Sequence, residues 1–303
     1  MKYIFYLVVV GLAISSFYLF DQTPEGTVGG IKEKQTEGKE LKITFLDIGQ
    51  GDATYLQFGD GEDMLIDCAI DGRILEALGR VMPWNDSVID YLVVTHPDLD
   101  HYGGCEEVLK RFEVKHVVYN GLKKADSKVW QSFWGAVQEE HGEYTEVSNP
   151  HELTIASTTL EFLYPDHSIP VDSKIPGLNK DTGSNDTSIV VKVSYGNTSV
   201  LLMGDTEEPL EKYLIGQYSS ELDVDVLKLG HHGSDSSSSQ EFLETVSPED
   251  AVVSCGKNNK YGHPSRRVMK RLERTSTTVW RTDTQGDVEL VINNGAYTLS
   301  TTK

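Results

Sequence analysis

The segment that most constrains the fold is VIDYLVVTHPDLDHYGG, in which a strand-like apolar run ends in a cluster of polar side chains. The cluster holds His96, Asp98, Asp100 and His101. Imidazole and carboxylate groups are ligands for borderline and hard divalent cations. His96 and Asp98 can point the same way in an extended turn, and the next pair diverges from that direction. One turn could therefore present two ligands to each of two metal ions.

A competing interpretation is structural. The stretch PDLDH could be the first turn of a helix whose aspartates cap backbone amides. The preceding His96 and the following pair of glycines favour a metal site over this alternative.

Three later polar clusters also follow apolar runs. Asp205 comes after TSVLLMG, His231 and His232 come after DVDVLKLG, and His263 lies in NKYGHPS. Taken alone, Asp205 is typical of a helix cap, and His263 is as consistent with structure as with function. Taken together, loops at strand ends can converge on one rim. A carboxylate such as Asp205 could then bridge two cations.

The pattern of apolar runs and turns predicts a strand-rich α/β chain. We predict strands at 42–48, 52–58, 63–67, 88–94, 114–120, 158–164, 187–195, 198–203, 223–230 and 251–256. The segments TTVWRT, GDVELVI and AYTLST are predicted to close the chain as a hairpin-rich end. Helices are predicted at 71–82, 103–112, 126–140, 206–215 and 264–274. Two sheets with helices on their outer faces would satisfy this order.

The motifs resemble those of a known family. In order along the chain, they are FLDIGQGDATYLQFGDGEDMLIDC, THPDLDHYGG, NDTSIVVKV, SVLLMGD, DVLKLGHHGS and NNKYGHPS. This series is similar to the soluble domain of the ComEC-type DNA-uptake proteins, a branch of the metallo-β-lactamase superfamily with its HxHxDH signature. The resemblance implies one four-layer αββα sandwich over residues 41–303, with a dinuclear hydrolase site on its edge.

The resemblance also implies a ligand set for two divalent metal ions. Asp205 matches the bridging ligand, and His231 matches the late histidine with His232 close behind. The implied metal ligands are His96, Asp98, Asp100, His101, Asp205 and His231. Asp98 replaces the usual second histidine, and Asn185 stands in the motif where a middle histidine is expected. Both departures favour harder cations, so we expect Mn²⁺ as well as Zn²⁺.

Further roles are predicted for residues around these ligands. Asp100 would orient the nucleophile as well as bind metal. His232 or His263 would contact the substrate or protonate the leaving group. We predict that Asn185 and Ser234 contact the substrate, Ser234 by donating to a phosphate oxygen.

The N-terminus predicts a membrane-associated protein. Lys2 precedes residues 3–20, which carry no charge, and no A-x-A cleavage site follows. These features favour a membrane anchor at 1–20 over a cleaved signal peptide. Residues 21–40 are polar and are predicted to form a flexible linker. Because the positive residue precedes the apolar segment, we expect the domain to be extracytoplasmic.

Composition limits the partners. The formal net charge of −20 argues against a general electrostatic grip on nucleic acid. The basic stretches at 110–116 and 266–271 are interpreted as solvated faces.

The three cysteines, Cys68, Cys105 and Cys255, form no CxxC pair, so we predict three buried free thiols, with one disulfide as the alternative in an exported chain.

Three functions compete at this stage. The first is a phosphodiesterase or nuclease, with DNA as a candidate substrate near the cell surface. The second is a hydrolase of a small ester, lactone or phosphocholine-type substrate. The third is a non-catalytic metal-binding module that assists DNA uptake or envelope assembly. The sequence indicates no obligate protein partner.

Overall fold

Two β-sheets pack face to face in the computed structural model, which describes residues 40–140 and 143–303. The described residues belong to one compact unit. The predicted anchor at 1–20 and nearly all of the linker lie outside them and stay predictions. Among the helices of the described ranges, none has the length and apolar character required to cross a membrane.

The first sheet has eight strands in the order β15-β14-β1-β2-β3-β4-β5-β6. Its strands are β1 (Leu41–Phe45), β2 (Thr54–Gln57), β3 (Asp63–Ile66), β4 (Val88–Val94), β5 (Glu113–Tyr119), β6 (Glu143–Glu146), β14 (Val288–Asn293) and β15 (Ala296–Thr301). The half that runs from β3 to β6 is parallel, and the remaining pairs are antiparallel.

The second sheet has seven strands in the order β13-β12-β11-β10-β9-β8-β7. Its strands are β7 (His151–Ile155), β8 (Thr158–Tyr164), β9 (Val190–Tyr195), β10 (Thr198–Leu202), β11 (Val226–Lys228), β12 (Asp250–Val253) and β13 (Thr278–Arg281). Strands β10 to β13 are parallel. In each sheet, the carboxyl ends of the parallel strands therefore share one edge.

Helices cover the outer faces of both sheets. They are α1 (Arg73–Val81), α2 (Leu99–Tyr102), α3 (Cys105–Arg111), α4 (Lys128–Glu139), α5 (Glu208–Tyr218), α6 (Gln240–Val246), α7 (Arg266–Arg274) and α8 (Thr282–Gln285). Apolar side chains of α1, α3 and α4 pack on the first sheet, and those of α5, α6 and α7 pack on the second. A third apolar cluster fills the space between the sheets. The predicted αββα sandwich is confirmed.

Most predicted elements are present with ends shifted by a few residues, because apolar periodicity marks the buried face of an element more sharply than its ends. Two strands escaped prediction. Strand β6 reads EYTE and is largely exposed, and β7 reads HELTI with mostly exposed side chains. Both lie at the edges of their sheets. An edge strand needs no continuous apolar run, so its sequence carries little signal.

The prediction of three free cysteines is wrong. Cys68 and Cys105 form a disulfide with their Cα atoms 5.2 Å apart, whereas Cys255 is free and buried. Cys68 follows β3 and Cys105 opens α3, so the bond ties the start of this helix to the sheet that it covers. The error arose because spacing along the chain does not reveal which cysteines meet in space.

We expect the Cys68→Ala/Cys105→Ala double variant to lose up to about 4 kcal/mol of unfolding free energy relative to the oxidised chain. The bond closes a loop with a sequence separation of 37, and opening it restores the entropy of the unfolded chain. Urea denaturation of oxidised and dithiothreitol-treated protein measures the difference. Cys255→Ala is the control, and it should leave the difference between oxidised and reduced protein unchanged. Equal stability of oxidised and reduced wild type would contradict the prediction.

Candidate metal centre

The polar clusters meet at the edge formed by the carboxyl ends of the parallel strands. Asp67 follows β3 and His96 follows β4, while Asp205 follows β10 and His231 follows β11. Because the two sheets pack face to face, these loops lie close together although their residues are far apart along the chain. The convergence on one rim that the sequence predicted is confirmed by the contacts below.

Asp205 occupies the centre of the cluster, buried among four imidazoles. Its Oδ1 atom lies 3.2 Å from His101 Nε2 and 3.5 Å from His232 Nε2. Its Oδ2 atom lies 3.9 Å from His231 Nε2 and 4.0 Å from His96 Nε2. The two oxygens of one carboxylate therefore face two different pairs of histidines.

Each pair of histidines is completed by an aspartate of the first motif. Asp98 Oδ2 lies 3.8 Å from His96 Nε2, and Asp100 Oδ2 lies 3.6 Å from His232 Nε2. We name the two sets the His96 group (His96, Asp98 and His231) and the His101 group (Asp100, His101 and His232). Asp205 is shared by both groups.

The unsatisfied atoms of this cluster fit divalent cations. Four buried atoms have no hydrogen-bond partner among the described residues, namely His96 Nε2, His101 Nε2, His232 Nε2 and Asp205 Oδ1. A buried polar atom without a partner is costly, so such atoms are rarely left unpaired in proteins. Ligand atoms of His96, His101 and Asp205 lie within 4.8 Å of one another, as do those of Asp100, His101 and His232. Nitrogen and carboxylate donors at this spacing suit Zn²⁺ or Mn²⁺.

Asp67, which the sequence analysis did not identify, orients His101. Its Oδ2 accepts hydrogen bonds of 2.7 Å from His101 Nδ1 and from Thr95 Oγ1. With Nδ1–H donating to Asp67, the Nε2 atom of His101 faces Asp205. Carboxylates behind metal-binding histidines fix the tautomer in this way. One signal in the sequence could have identified Asp67: it follows the end of strand β3, just as the other aspartates of the site follow strand ends.

The Asp98 side chain contradicts the capping interpretation of the first motif. Asp98 is the N-cap residue of α2, but its side chain accepts no hydrogen bond from that helix. Its Oδ1 atom instead accepts from Ser184 Oγ at 2.8 Å and from Lys124 Nζ, which leaves Oδ2 facing His96. Lys124 is a second residue that sequence reasoning missed.

His231 and His232 both reach the centre because the backbone turns sharply there. Their φ angles are 43° and 54°, which are uncommon for residues other than glycine. The two rings consequently diverge and serve different groups. His231 Nδ1 lies 2.9 Å from Glu207 Oε1, and His232 Nδ1 lies 3.1 Å from the carbonyl oxygen of Ser254. Whether one or both bind metal stays a prediction.

The predicted substrate residues are linked to Glu207, Asn185 directly and Ser234 through Ser236. The Asn185 amide donates to Glu207 Oε1 at 3.2 Å and lies 3.3 Å from His231 Nδ1. Ser234 shares a 2.9 Å hydrogen bond with Ser236, whose hydroxyl donates to Glu207. Because Glu207 bonds to His231, these hydrogen bonds connect both predicted residues to the centre. Their substrate contacts stay predictions.

His263 stacks against the centre without entering either group. Its ring centroid lies 5.5 Å from that of His231 and 6.3 Å from that of His232. Burial, followed by repulsion from these two histidines, lowers the pKa of His263 to about 4. At neutral pH this imidazole is uncharged, which favours a contact role over proton donation.

The electrostatics of the centre place negative charge on Asp205 and favour a proton on His101, which a bound cation would displace. Burial raises the pKa of the Asp205 carboxyl, but the facing imidazoles of His101 and His232 outweigh burial and hold it well below its usual range. Burial lowers the pKa of His101, but the carboxylates of Asp205 and Asp67 hold it well above its usual value. Burial, followed by repulsion from His101, lowers the pKa of His96 to about 4. Ionised carboxylates and a neutral His96 imidazole are the forms that bind metal.

A buried ion pair lies beneath the centre. Lys228 Nζ pairs with Asp52 Oδ2, and the two side chains are only 4% and 3% exposed. The other oxygen, Asp52 Oδ1, lies 3.7 Å from His232 Nδ1. Asp52 belongs to the LDIGQGD turn and Lys228 ends β11, so the pair joins the two sheets directly behind His232. Sequence reasoning did not find Lys228, because nothing in the sequence of a buried strand shows which acid its lysine meets.

Gly51 fits closely against the metal-binding turn. A Cβ atom at this position would lie 1.9 Å from the backbone oxygen of Asp100, and the φ angle is +100°. The neighbouring Asp52 amide donates to the same oxygen at 3.1 Å. Only glycine leaves room for this contact.

We expect Gly51→Ala to displace Asp100 and to lower metal affinity by roughly tenfold or more, as changes behind metal ligands do. Equilibrium dialysis against Mn²⁺ or Zn²⁺ measures the affinity. Gly61→Ala is the matched control, because Gly61 has a φ of +103° but open space around the missing Cβ. An equal loss of metal affinity in both variants would show that the clash with Asp100 is irrelevant.

Comparison with known proteins agrees with this geometry. A family model described as the metallo-beta-lactamase superfamily matches residues 46–257. ComE operon protein 3 of Bacillus subtilis is 30% identical over 290 residues, which cover 86% of this chain and 34% of that protein. Competence protein ComA of Neisseria gonorrhoeae is 29% identical over 84% of this chain and 33% of its own length. The chain therefore spans about a third of the length of these curated relatives.

Solved structures share the fold at low sequence identity. The metallo-beta-lactamase fold protein YhfI of Bacillus subtilis superimposes with a TM-score of 0.52 and 14% identity, covering 86% of this chain and 100% of that one. CmlA of Streptomyces venezuelae, a diiron beta-hydroxylase, gives a TM-score of 0.52 and 14% identity over 84% of this chain and 54% of its own. At this identity, the likeness extends to the fold alone.

Proposed function

The chain belongs to the metallo-β-lactamase superfamily, and on that basis we propose that it is a dinuclear metal-dependent phosphodiesterase that cleaves DNA outside the cytoplasm. The observation that carries the proposal is the placement of Asp205. Its two oxygens face the His96 group and the His101 group separately, as a ligand shared by two cations would.

The residues of the site are proposed to have two roles, binding the cations and orienting the groups that bind them. Two divalent cations would supply a water nucleophile at neutral pH and neutralise charge on the reacting phosphate. Asp205 and the two groups would hold them, with Asp67 fixing the ring of His101. Glu207 orients His231 by bonding to its Nδ1 atom, which leaves the Nε2 atom of this ring facing Asp205.

A phosphodiester substrate is supported by the relatives and by the ligand set. One curated relative is named competence protein ComA, and another is named ComE operon protein 3. The His96 group contains Asp98 where the superfamily signature has histidine, and a carboxylate favours hard cations such as Mn²⁺, which bind phosphate oxygens readily. Lys124, whose side chain is partly exposed beside Asp98, adds a positive charge at the mouth.

An extracytoplasmic location is supported by the disulfide. Cys68 and Cys105 are linked, and structural disulfides are rare in the reducing cytosol of mesophiles. The apolar segment at residues 3–20 agrees with this proposal at the level of sequence.

A substrate screen on the metal-loaded protein tests the function. Purified full-length chain is dialysed against Mn²⁺ or Zn²⁺, its metal content is measured, and it is assayed on bis-p-nitrophenyl phosphate, plasmid DNA and a lactone. We expect turnover of both phosphodiesters. Turnover of the lactone alone would favour a small-ester hydrolase. Two bound metals with no turnover of any substrate would favour the non-catalytic binding module.

A further inference from the structure

A short series of stacked rings leads from the candidate metal centre to solvent. The His263 ring stacks on His232 at an interplanar angle of 28°, and Tyr261 stacks on His263 with ring centroids 5.7 Å apart and an angle of 24°. The Tyr261 side chain is 61% exposed. The outer end of the series is therefore an open aromatic surface beside the site.

The loop that carries Tyr261 is bridged by the hydrogen bonds of one side chain, Asn259. The Asn259 amide donates to the carbonyl oxygens of Gly256 and His263 at 2.9 Å and 2.6 Å, and its Oδ1 accepts from the His263 amide at 2.9 Å. One side chain thus closes the loop across its base. A preorganised ring loses little conformational entropy when a ligand stacks on it.

The segment that carries Tyr261 is basic in an otherwise acidic chain. Residues 251–272 contain six Lys and Arg residues and no Asp or Glu, although the net charge of the chain is −20. Lys260 Nζ lies 4.9 Å from the centroid of the Tyr261 ring. Within residues 40–140 and 143–303, Lys257, Lys260 and Arg266 form no ion pair, whereas Arg267 lies 3.7 Å from Asp235.

These observations fit one kind of ligand. An exposed aromatic face flanked by unpaired cations is the arrangement that binds single-stranded nucleic acid, in which bases stack on the ring and phosphates contact the cations. A folded duplex keeps its bases stacked internally and offers no free face to Tyr261. A small phosphodiester would not extend from the metal centre to this ring.

We propose that Tyr261, with Lys257 and Lys260, forms a platform that stacks a base of a single-stranded nucleic acid next to the metal centre. The proposal rests on the proposed function for the identity of the reacting group, a phosphodiester, but the platform itself needs no cleavage. It would select unpaired strands, or the frayed ends of duplexes, over intact duplex.

Binding without cleavage tests the platform. A fluorescein-labelled single-stranded oligothymidylate is titrated with full-length chain in EDTA, and fluorescence anisotropy reports the Kd. We expect Tyr261→Ala to raise the Kd about tenfold and Tyr261→Phe to restore it, because stacking uses the ring and not the hydroxyl. Lys260→Gln should weaken binding and make the dependence of log Kd on log salt less steep by roughly 0.7, the value for one phosphate contact on a single strand.

The controls use similar side chains elsewhere on the surface. Trp84 is 96% exposed between α1 and β4, and Trp84→Ala should leave the Kd unchanged. A duplex probe should respond much less to Tyr261→Ala than the single strand does. An unchanged single-strand Kd in Tyr261→Ala, an equal loss on duplex, or no measurable binding by wild type would overturn the platform.

The platform and the hydrolase can fail separately. If Tyr261→Ala loses binding while wild type cleaves no phosphodiester, the platform stands and the proposed function falls. If wild type cleaves bis-p-nitrophenyl phosphate and DNA, and Tyr261→Ala cleaves and binds single strands as well as wild type, the hydrolase stands and the platform falls. When both hold, the loss of kcat/KM in Tyr261→Ala should be at least several times larger on the oligonucleotide than on the small ester.

Discussion

Replacement of Asp205 with alanine is expected to remove bound metal and to lower phosphodiester turnover by more than about 100-fold, since even changes behind a metal ligand cost 10- to 100-fold. Asp205 is the one side chain shared by the His96 group and the His101 group, and its oxygens lie 3.2–4.0 Å from four imidazoles. Without the carboxylate, each group loses a donor. The imidazoles also lose the negative charge that they face.

Metal content by plasma mass spectrometry, together with turnover of bis-p-nitrophenyl phosphate, measures this effect. Asp63→Ala is a matched control, because Asp63 is also buried but its side chain accepts hydrogen bonds from the Tyr55 hydroxyl and the Asp90 amide, outside both groups. The control should lose stability and keep its metal. If Asp205→Ala retains metal and activity, Asp205 is not a shared ligand and the proposed mechanism is wrong.

The second large effect is expected at the buried ion pair. Lys228→Met would leave the Asp52 carboxylate buried without its cation, and breaking such a pair costs about 3–5 kcal/mol. Asp52 Oδ1 already has no hydrogen-bond partner among the described residues, so the remaining charge has little compensation. Chemical denaturation of the variant, with metal removed from both proteins, measures the loss of unfolding free energy.

The double variant Lys228→Met/Asp52→Asn distinguishes two causes of the stability loss, the unpaired charge of Asp52 and the altered packing at position 228. Removing both charges should recover most of the stability, because no isolated charge is then buried. Lys115→Met is the exposed control, since Lys115 pairs with Asp90 at 2.6 Å while its side chain is half exposed. Its effect should be far smaller because solvent screens the pair. A double variant no more stable than Lys228→Met would show that packing dominates.

Much of the fold could be predicted from local patterns. Strand β4 was predicted with its observed ends, Val88 to Val94, because an apolar run is bounded by turn residues on both sides. Strand β6 could not be predicted, because its exposed EYTE sequence carries no buried face. Tertiary pairing with β5 makes it a strand, through backbone hydrogen bonds that do not depend on its side chains.

The residues of the candidate centre also fall into those that the sequence could predict and those that it could not. His96, Asp98, Asp100 and His101 were identified because four ligand types are crowded into one short turn. Asp67, Lys124 and Glu207 were missed, since each is an ordinary polar residue whose partner lies far away along the chain. The disulfide was missed for the same reason, because Cys68 and Cys105 are 37 residues apart.

The sequence by itself determined which segments bury a face and which strand ends carry metal-binding side chains, because both properties are local and repeat along the chain. The tertiary structure alone decided how these side chains are shared. It placed one Asp205 oxygen toward His101 and the other toward His96. It also set Tyr261 on the same edge as the centre. The physical reason is that such contacts depend on how two sheets pack, and packing is a property of the whole core rather than of any one segment.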